Sequence, residues 1–147
     1  MSKKENILIS ACFLGTNCRY DGRTVELSSL DQLKKKYNLI PICPEIIGGL
    51  ETPRKPAEIR NNKVINSLGQ DVTNNFVIGA REALKLAKLN KCRYALLKER
   101  SPSCGYGKIY DGTFSGTLIG GNGVTAELLA QNGIIVLGES QISKLLN

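Results

Sequence analysis

The chain has 147 residues, a formal charge of +7, five cysteines and no histidine. This length fits one domain with a buried core and is short for two, so we expect residues 1–147 to form a single domain. The lack of histidine excludes Ser-His and Cys-His catalytic pairs and zinc sites with imidazole ligands, which leaves thiolates, carboxylates, hydroxyls, amines and the backbone to do any chemistry.

The N-terminus predicts a buried strand rather than an export signal. Lys3 and Lys4 precede an apolar run that has only about five residues before Cys12 and continues through Phe13 and Leu14. A secretory signal needs an apolar region of roughly 7–15 residues, and the part before Cys12 is shorter. No window reaches the roughly 20 apolar residues of a membrane span. We therefore expect a cytoplasmic protein with reduced cysteines that act as ligands, catalysts or core residues.

Apolar runs and amphipathic stretches alternate along the rest of the chain. Strands are predicted at 7–11, 39–43, 94–97 and 134–137, and helices at about 29–37, 73–87, 125–132 and 142–146. Pro41 weakens the second strand or makes it an edge strand. Residues 63–65 are predicted to form a small extended piece, and 51–62 give no clear signal. The alternation predicts an α/β fold, a Rossmann-like or flavodoxin-like domain with a mainly parallel sheet of about four strands and helices on both faces.

A glycine-rich turn at Gly120–Gly123 precedes one predicted helix. It does not follow the first strand, so it is a weak dinucleotide signal. Backbone N–H groups at this helix N-terminus could still bind an anion.

The positive charge alone does not establish nucleic-acid binding. Basic residues are scattered, and the densest run, Lys34 to Lys36, falls on a predicted helix with a solvated face. Five tyrosines and three phenylalanines offer little for base stacking. An anionic or nucleobase-like small ligand explains the charge equally well.

Three cysteines lie just past the carboxyl ends of predicted strands: Cys12 after the first, Cys43 at the end of the second and Cys104 after the third. In a parallel sheet these ends share one edge, so the three thiols should converge there. Cys18 follows Cys12 in the same loop and could reach the site. Cys92 precedes the third strand and should lie at the opposite edge as a structural thiol.

Converging thiolates without histidine are compatible with two kinds of metal centre. Zinc would need a fourth ligand, for which Cys18 is the candidate. An iron–sulfur cluster held by three cysteines would leave one iron without a protein ligand. Buried core thiols are a third interpretation.

Glu45 lies two residues beyond Cys43 and could act as the acid or base that histidine cannot supply. The alternative is an ion pair with Arg54 or Arg19. The residue types alone leave both interpretations open.

The sequence resembles the DUF523 family, whose characterised members are thiouracil desulfurases. The resemblance spans about Ile7 to Glu139. Its motifs appear in family order and are 10–15 (SACFLG), 18–22 (CRYDG), 43–45 (CPE), 48–50 (GGL), 53–54 (PR), 69–73 (GQDVT), 101–105 (SPSCG) and 110–114 (YDGTF).

This resemblance implies a non-redox desulfuration in which a thiocarbonyl becomes a carbonyl and sulfide is released. It implies a 4Fe-4S cluster bound by Cys12, Cys43 and Cys104, with an open iron that binds the substrate sulfur as a Lewis acid. Glu45 matches the family's acid/base position and Ser101 the hydroxyl that orients substrate or water. Ser103 lies in the same loop and could assist.

Two hypotheses follow. The first is an iron–sulfur desulfurase acting on a small thiolated pyrimidine, with thiolated tRNA as a less supported substrate. The second is a non-catalytic zinc- or iron–sulfur-binding module that binds RNA; its zinc form would use Cys12, Cys18, Cys43 and Cys104.

Overall fold

The structure is a computed structural model and describes residues 4–15, 19–22 and 27–147. Cys18 lies outside the described residues. Eight strands are present in these ranges: β1 (Glu5–Ser10), β2 (Tyr37–Ile42), β3 (Ala57–Arg60), β4 (Lys63–Asn66), β5 (Tyr94–Leu97), β6 (Lys108–Tyr110), β7 (Leu118–Gly120) and β8 (Ile135–Gly138). The helices are α1 (Leu30–Lys36), α2 (Pro44–Ile47), α3 (Thr73–Leu89), α4 (Val124–Gln131) and α5 (Ser143–Leu146), with 3-10 turns at Ala11–Leu14 and Glu139–Gln141.

Four strands form a parallel sheet in the order β2-β1-β5-β8. This confirms the predicted α/β fold. Pro41 lies on β2, an edge strand, where a residue without an N–H group is tolerated. The other strands pair as two antiparallel hairpins, β3-β4 and β6-β7.

Two layers of apolar side chains cover the sheet, as expected when helices pack on both faces. One layer joins the sheet to α3 and α4 through small and branched residues such as Ala83, Ala87 and Leu129. The other joins it to α1 and α5 through Leu33 and Leu145.

The strand order creates a switch point between β1 and β5. The chain leaves β1 through α1 toward β2, and it leaves β5 through α4 toward β8 on the opposite side. Loops that diverge in this way open a crevice beyond the carboxyl ends of the strands, where α/β proteins bind ligands.

None of the helices in the described part of the chain has the length and apolar character needed to span a membrane.

Candidate active site

A cavity of about 530 Å³ occupies this crevice. The loops after β1, β2 and β5 form its floor, and the β3-β4 and β6-β7 hairpins contribute to its walls. Its volume is within the usual range for a small-molecule site.

The three predicted cysteines line this cavity together. Cys12 lies on the 3-10 turn after β1, Cys43 directly precedes α2, and Cys104 lies in the turn after β5. Cys12 and Cys104 are buried and Cys43 is half-buried. Cys92 is buried just before β5, at the other edge of the sheet, as its place in the sequence predicted.

Burial, and after it the nearby charges of Glu45 and Cys43, raises the pKa of the Cys104 thiol to about 12. Hydrogen bonds with Ser103 and Ser10 act the other way but do not offset the burial. Cys104 therefore keeps its proton at neutral pH unless a metal displaces it. Cys104 therefore lies close enough to both Cys43 and Glu45 for their charges to affect its thiol.

The donor set suits an iron–sulfur cluster. Thiolate sulfur is the usual ligand of iron in such clusters. Cys12, Cys43 and Cys104 lie around one cavity and could hold such a cluster there. Among the described residues, no group of three Cys, Asp or Glu side chains is arranged to hold a single metal ion.

Glu45 lines the cavity from the first turn of α2 and is paired with Arg54. Arg54 Nη2 donates to Glu45 Oε2 at 2.8 Å and Nε donates to the same oxygen at 3.2 Å. The Glu45 side chain is 15% exposed and the Arg54 side chain is 9% exposed. Arg54 is itself fixed by hydrogen bonds from Nη1 to Thr52 Oγ1 and to the carbonyl of Glu51. The ion pair with Arg54, which the sequence left open as the alternative interpretation, is thus present, and Glu45 also lines the cavity.

Helix α2 approaches α3 closely because glycines stand at both contact points. A Cβ atom at Gly79 would lie 2.0 Å from the carbonyl oxygen of Pro44, and one at Gly48 would lie 2.0 Å from that of Asn75. The Asn75 side chain donates to the Gly48 carbonyl at 2.8 Å. These contacts fix the position of α2 and with it Glu45. Gly79 lies inside a helical pattern, where a glycine indicates a packing constraint, and we missed that signal in the sequence.

Ser101 lines the cavity, and its hydrogen bonds determine whether its hydroxyl can donate or accept there. Its Oγ accepts hydrogen bonds from the backbone N–H groups of Ser103 at 3.1 Å and of Cys104 at 3.0 Å. A hydroxyl has two acceptor lone pairs and one proton. Because both acceptor positions are occupied, the Ser101 hydroxyl can offer only its proton to a molecule in the cavity.

Ser103 differs from Ser101 because its side chain is fully buried and it does not line the cavity. Its Oγ lies 2.8 Å from Thr125 Oγ1, and the Cys104 thiol donates to it across 3.8 Å. Ser103 therefore contacts a proposed ligand sulfur rather than the cavity.

The N-terminus of α4 does not offer its N–H groups to an anion, contrary to the expectation for the Gly120–Gly123 turn. Gly123 N–H donates to the Gly105 carbonyl at 2.7 Å and Thr125 N–H to the Ser103 carbonyl at 2.8 Å. The carbonyls of the cysteine-bearing turn thus occupy these donors. The effect is to hold that turn against the helix.

Several cavity residues were not predicted as site residues, among them Glu58, Lys55, Lys98, Arg100 and Tyr110. Most lie in the hairpins or at strand ends, where no periodic pattern marks them. The 110–114 segment was noticed only through the family resemblance, and its Phe114 also lines the cavity.

Comparison with known proteins agrees with this architecture. The family model described as 2-thiouracil desulfurase matches residues 7–141. The uncharacterized protein YbbK of Bacillus subtilis (strain 168) is 41% identical over 150 residues, which cover 95% of this chain and 99% of that protein. A solved structure of the 4Fe-4S-dependent thiouracil desulfidase TudS is 46% identical, superposes with a TM-score of 0.91, and is matched over 97% of this chain and 95% of its own. The chain belongs to the 2-thiouracil desulfurase family.

Proposed function

We propose that the protein converts thiouracil, or a related thiolated pyrimidine, into its carbonyl form with release of sulfide, and that it depends on a 4Fe-4S cluster. Family membership and the likeness to a thiouracil desulfidase support this activity. The observation that carries the proposal is that three cysteines, Glu45 and Ser101 line the same cavity.

We assign Cys12, Cys43 and Cys104 as the cluster ligands, which leaves one iron without a ligand from the protein. When bound, such a cluster supplies a Lewis acid that attracts the thiocarbonyl sulfur. The burial of Cys12 and Cys104 keeps bulk water away from two of the proposed ligand sulfurs.

The net reaction needs no oxidant or reductant. Thiouracil and water give uracil and hydrogen sulfide: a carbon–oxygen bond forms, the carbon–sulfur bond breaks, and the two protons of water end on sulfide. Residues of this chain need only orient the substrate, activate the water and transfer a proton.

Glu45 is the group that moves the proton. Both hydrogen bonds from Arg54 to Glu45 end on Oε2, and no described residue donates a hydrogen bond to Oε1. Oε1 is therefore available to take a proton from the attacking water and to return it to the departing sulfide. Arg54 holds the carboxylate plane and so determines where Oε1 points.

Ser101 acts as a hydrogen-bond donor. Its acceptor positions are filled by backbone N–H groups, so it can stabilise negative charge that develops on the substrate but cannot itself act as a base. Ser103 supports the reaction indirectly through its contact with the Cys104 sulfur. Hydrogen bonds to ligand sulfurs tune the electronics of iron–sulfur clusters.

The test is turnover by anaerobically purified protein with 2-thiouracil. We expect uracil and sulfide in equal amounts from a brown enzyme. Glu45→Gln should keep the iron and lose activity by about 10²- to 10⁴-fold, the usual contribution of general acid–base catalysis. Ser101→Ala should also keep the iron and lose about 10²-fold or more, as expected for a lost charge-stabilising donor. A colourless zinc protein, or unchanged rates in both variants, would contradict the proposal.

A further inference from the structure

Phe114 has an unusual backbone conformation at the wall of the cavity. Its φ angle is +58°, in the left-handed region that bulky side chains rarely adopt. Phe114 lines the cavity and is 40% exposed. Strained residues persist where the surrounding structure holds them in place, and such positions cluster at functional sites.

A carboxylate from the neighbouring hairpin holds this conformation. Glu58 Oε1 accepts the backbone N–H of Gly112 at 3.0 Å and that of Phe114 at 3.1 Å. Gly112 also has a positive φ of +92°, and a Cβ atom there would lie 2.6 Å from Arg60 Cβ. The loop is thus closely packed on β3 and fixed to it by a charged acceptor.

A chain of hydroxyl groups stiffens the same loop from within. Thr113 Oγ1 donates to Asp111 Oδ1 at 2.6 Å, Thr113 and Ser115 hydroxyls lie 2.7 Å apart, and those of Ser115 and Thr117 lie 2.8 Å apart. Asp111 also accepts the Thr113 N–H at 2.9 Å. The backbone that carries Phe114 is therefore fixed before a ligand binds, which lowers the entropic cost of binding.

We propose that Phe114 is a substrate-contact residue whose ring stacks on the pyrimidine ring and that Glu58 is the positioning residue that holds it there. The inference rests on the proposed function and deepens it. A thiolated pyrimidine is a flat π system, and aromatic side chains stack on such rings, usually with an offset. Of the other described aromatic residues at the cavity, Phe76 belongs to the core and Tyr110 is half-buried on β6, whereas Tyr20 is exposed but has no positive φ angle.

The first test compares Phe114→Ala with Tyr106→Ala in the anaerobic holoenzyme. Tyr106 is a matched control because it is 45% exposed and does not line the cavity. Stacking in the ground state and the transition state is uniform binding, which changes KM and leaves kcat alone. We expect KM for 2-thiouracil to rise about tenfold in Phe114→Ala, equivalent to about 1.4 kcal/mol, with kcat and iron content close to wild type.

Phe114→Tyr keeps the ring and should keep the wild-type KM. An unchanged KM in Phe114→Ala, or an equal rise in Tyr106→Ala, would overturn the assignment. Calorimetry of uracil binding to the wild-type and Phe114→Ala holoenzymes measures the stacking contact without turnover. It therefore distinguishes a failure of the stacking proposal from a failure of the proposed function. If wild type releases no sulfide from 2-thiouracil, the activity is wrong, and a weaker affinity for uracil in Phe114→Ala than in wild type still supports the stacking contact.

The second test asks whether Glu58 acts through Phe114. Glu58→Ala should raise KM in the same direction, while Glu58→Gln should retain most of the affinity because its amide oxygen can still accept both N–H groups. In the double variant Glu58→Ala/Phe114→Ala, KM should be no higher than in Phe114→Ala alone. If the KM increases of the two single variants multiplied in the double variant, Glu58 would act independently of Phe114, which would contradict its positioning role.

Discussion

Replacement of Arg54 by methionine tests how Glu45 is held. The substitution keeps much of the side-chain volume and removes both hydrogen bonds to Glu45 Oε2. Removing one partner from a buried ion pair costs about 3–5 kcal/mol, because the other charge is left without compensation. Since the two side chains are still 9% and 15% exposed, we expect the lower end, about 3 kcal/mol.

For a chain of this size, that loss corresponds to a fall in Tm of about 6–12 °C. The assay is thermal unfolding followed by circular dichroism under anaerobic conditions, with iron measured per chain. Turnover should fall as well, because Glu45 Oε1 loses its fixed direction. In the double variant Arg54→Met/Glu45→Gln most of the stability should return, since the Glu45 charge that Arg54 compensates is removed as well.

The matched control is Arg93, which pairs with Glu5 at 3.1 Å while the two side chains are 66% and 47% exposed. Exposed pairs contribute about 0–1 kcal/mol, so Arg93→Met should change Tm little. Equal losses for Arg54→Met and Arg93→Met, or no recovery in the double variant, would refute this explanation of how Glu45 is oriented.

Two further predictions concern the helix contact and the metal. Gly79→Ala should destabilise the protein by about 1–3 kcal/mol and lower its iron content, because the new methyl group collides with Pro44 and displaces α2. Gly120→Ala, where a Cβ atom would meet nothing within 4 Å, should leave both the stability and the iron content unchanged. Equal losses of stability and iron in Gly79→Ala and Gly120→Ala would contradict the packing argument. Cluster assembly on the cluster-free protein should improve as pH rises from 7 toward 9, because the pKa of Cys104, raised to about 12 by burial, requires iron to displace a proton. Iron uptake that is equal across this pH range would contradict that account.

The central sheet could be predicted because its strands carry a strong local signal. Residues 94–97 were predicted as a strand and form β5. Because the carboxyl ends of parallel strands share one edge of the sheet, it could also be predicted that three cysteines far apart in sequence would line one cavity. Tyr37 was predicted on a helix but begins β2. A tertiary contact explains the difference, since its hydroxyl donates to the Leu145 carbonyl at 2.7 Å while its backbone pairs with Glu5.

The cavity walls could not be predicted in the same way. Helix α2 has four residues, too few for a periodic pattern, and its position depends on Gly79 of a distant helix. The hairpin strands have three or four residues each. One signal was available: Asn61 and Asn62 both have positive φ angles between β3 and β4, and adjacent asparagines favour such turns.

The most direct test of the account is the iron and acid-labile sulfide content of anaerobically purified protein and its cysteine variants. We expect about four of each per chain in wild type and in Cys92→Ala, as in a 4Fe-4S cluster. Cys12→Ala, Cys43→Ala and Cys104→Ala should each lose the cluster, its brown colour and the release of sulfide from 2-thiouracil. Retention of the cluster and of turnover in Cys104→Ala would contradict the account.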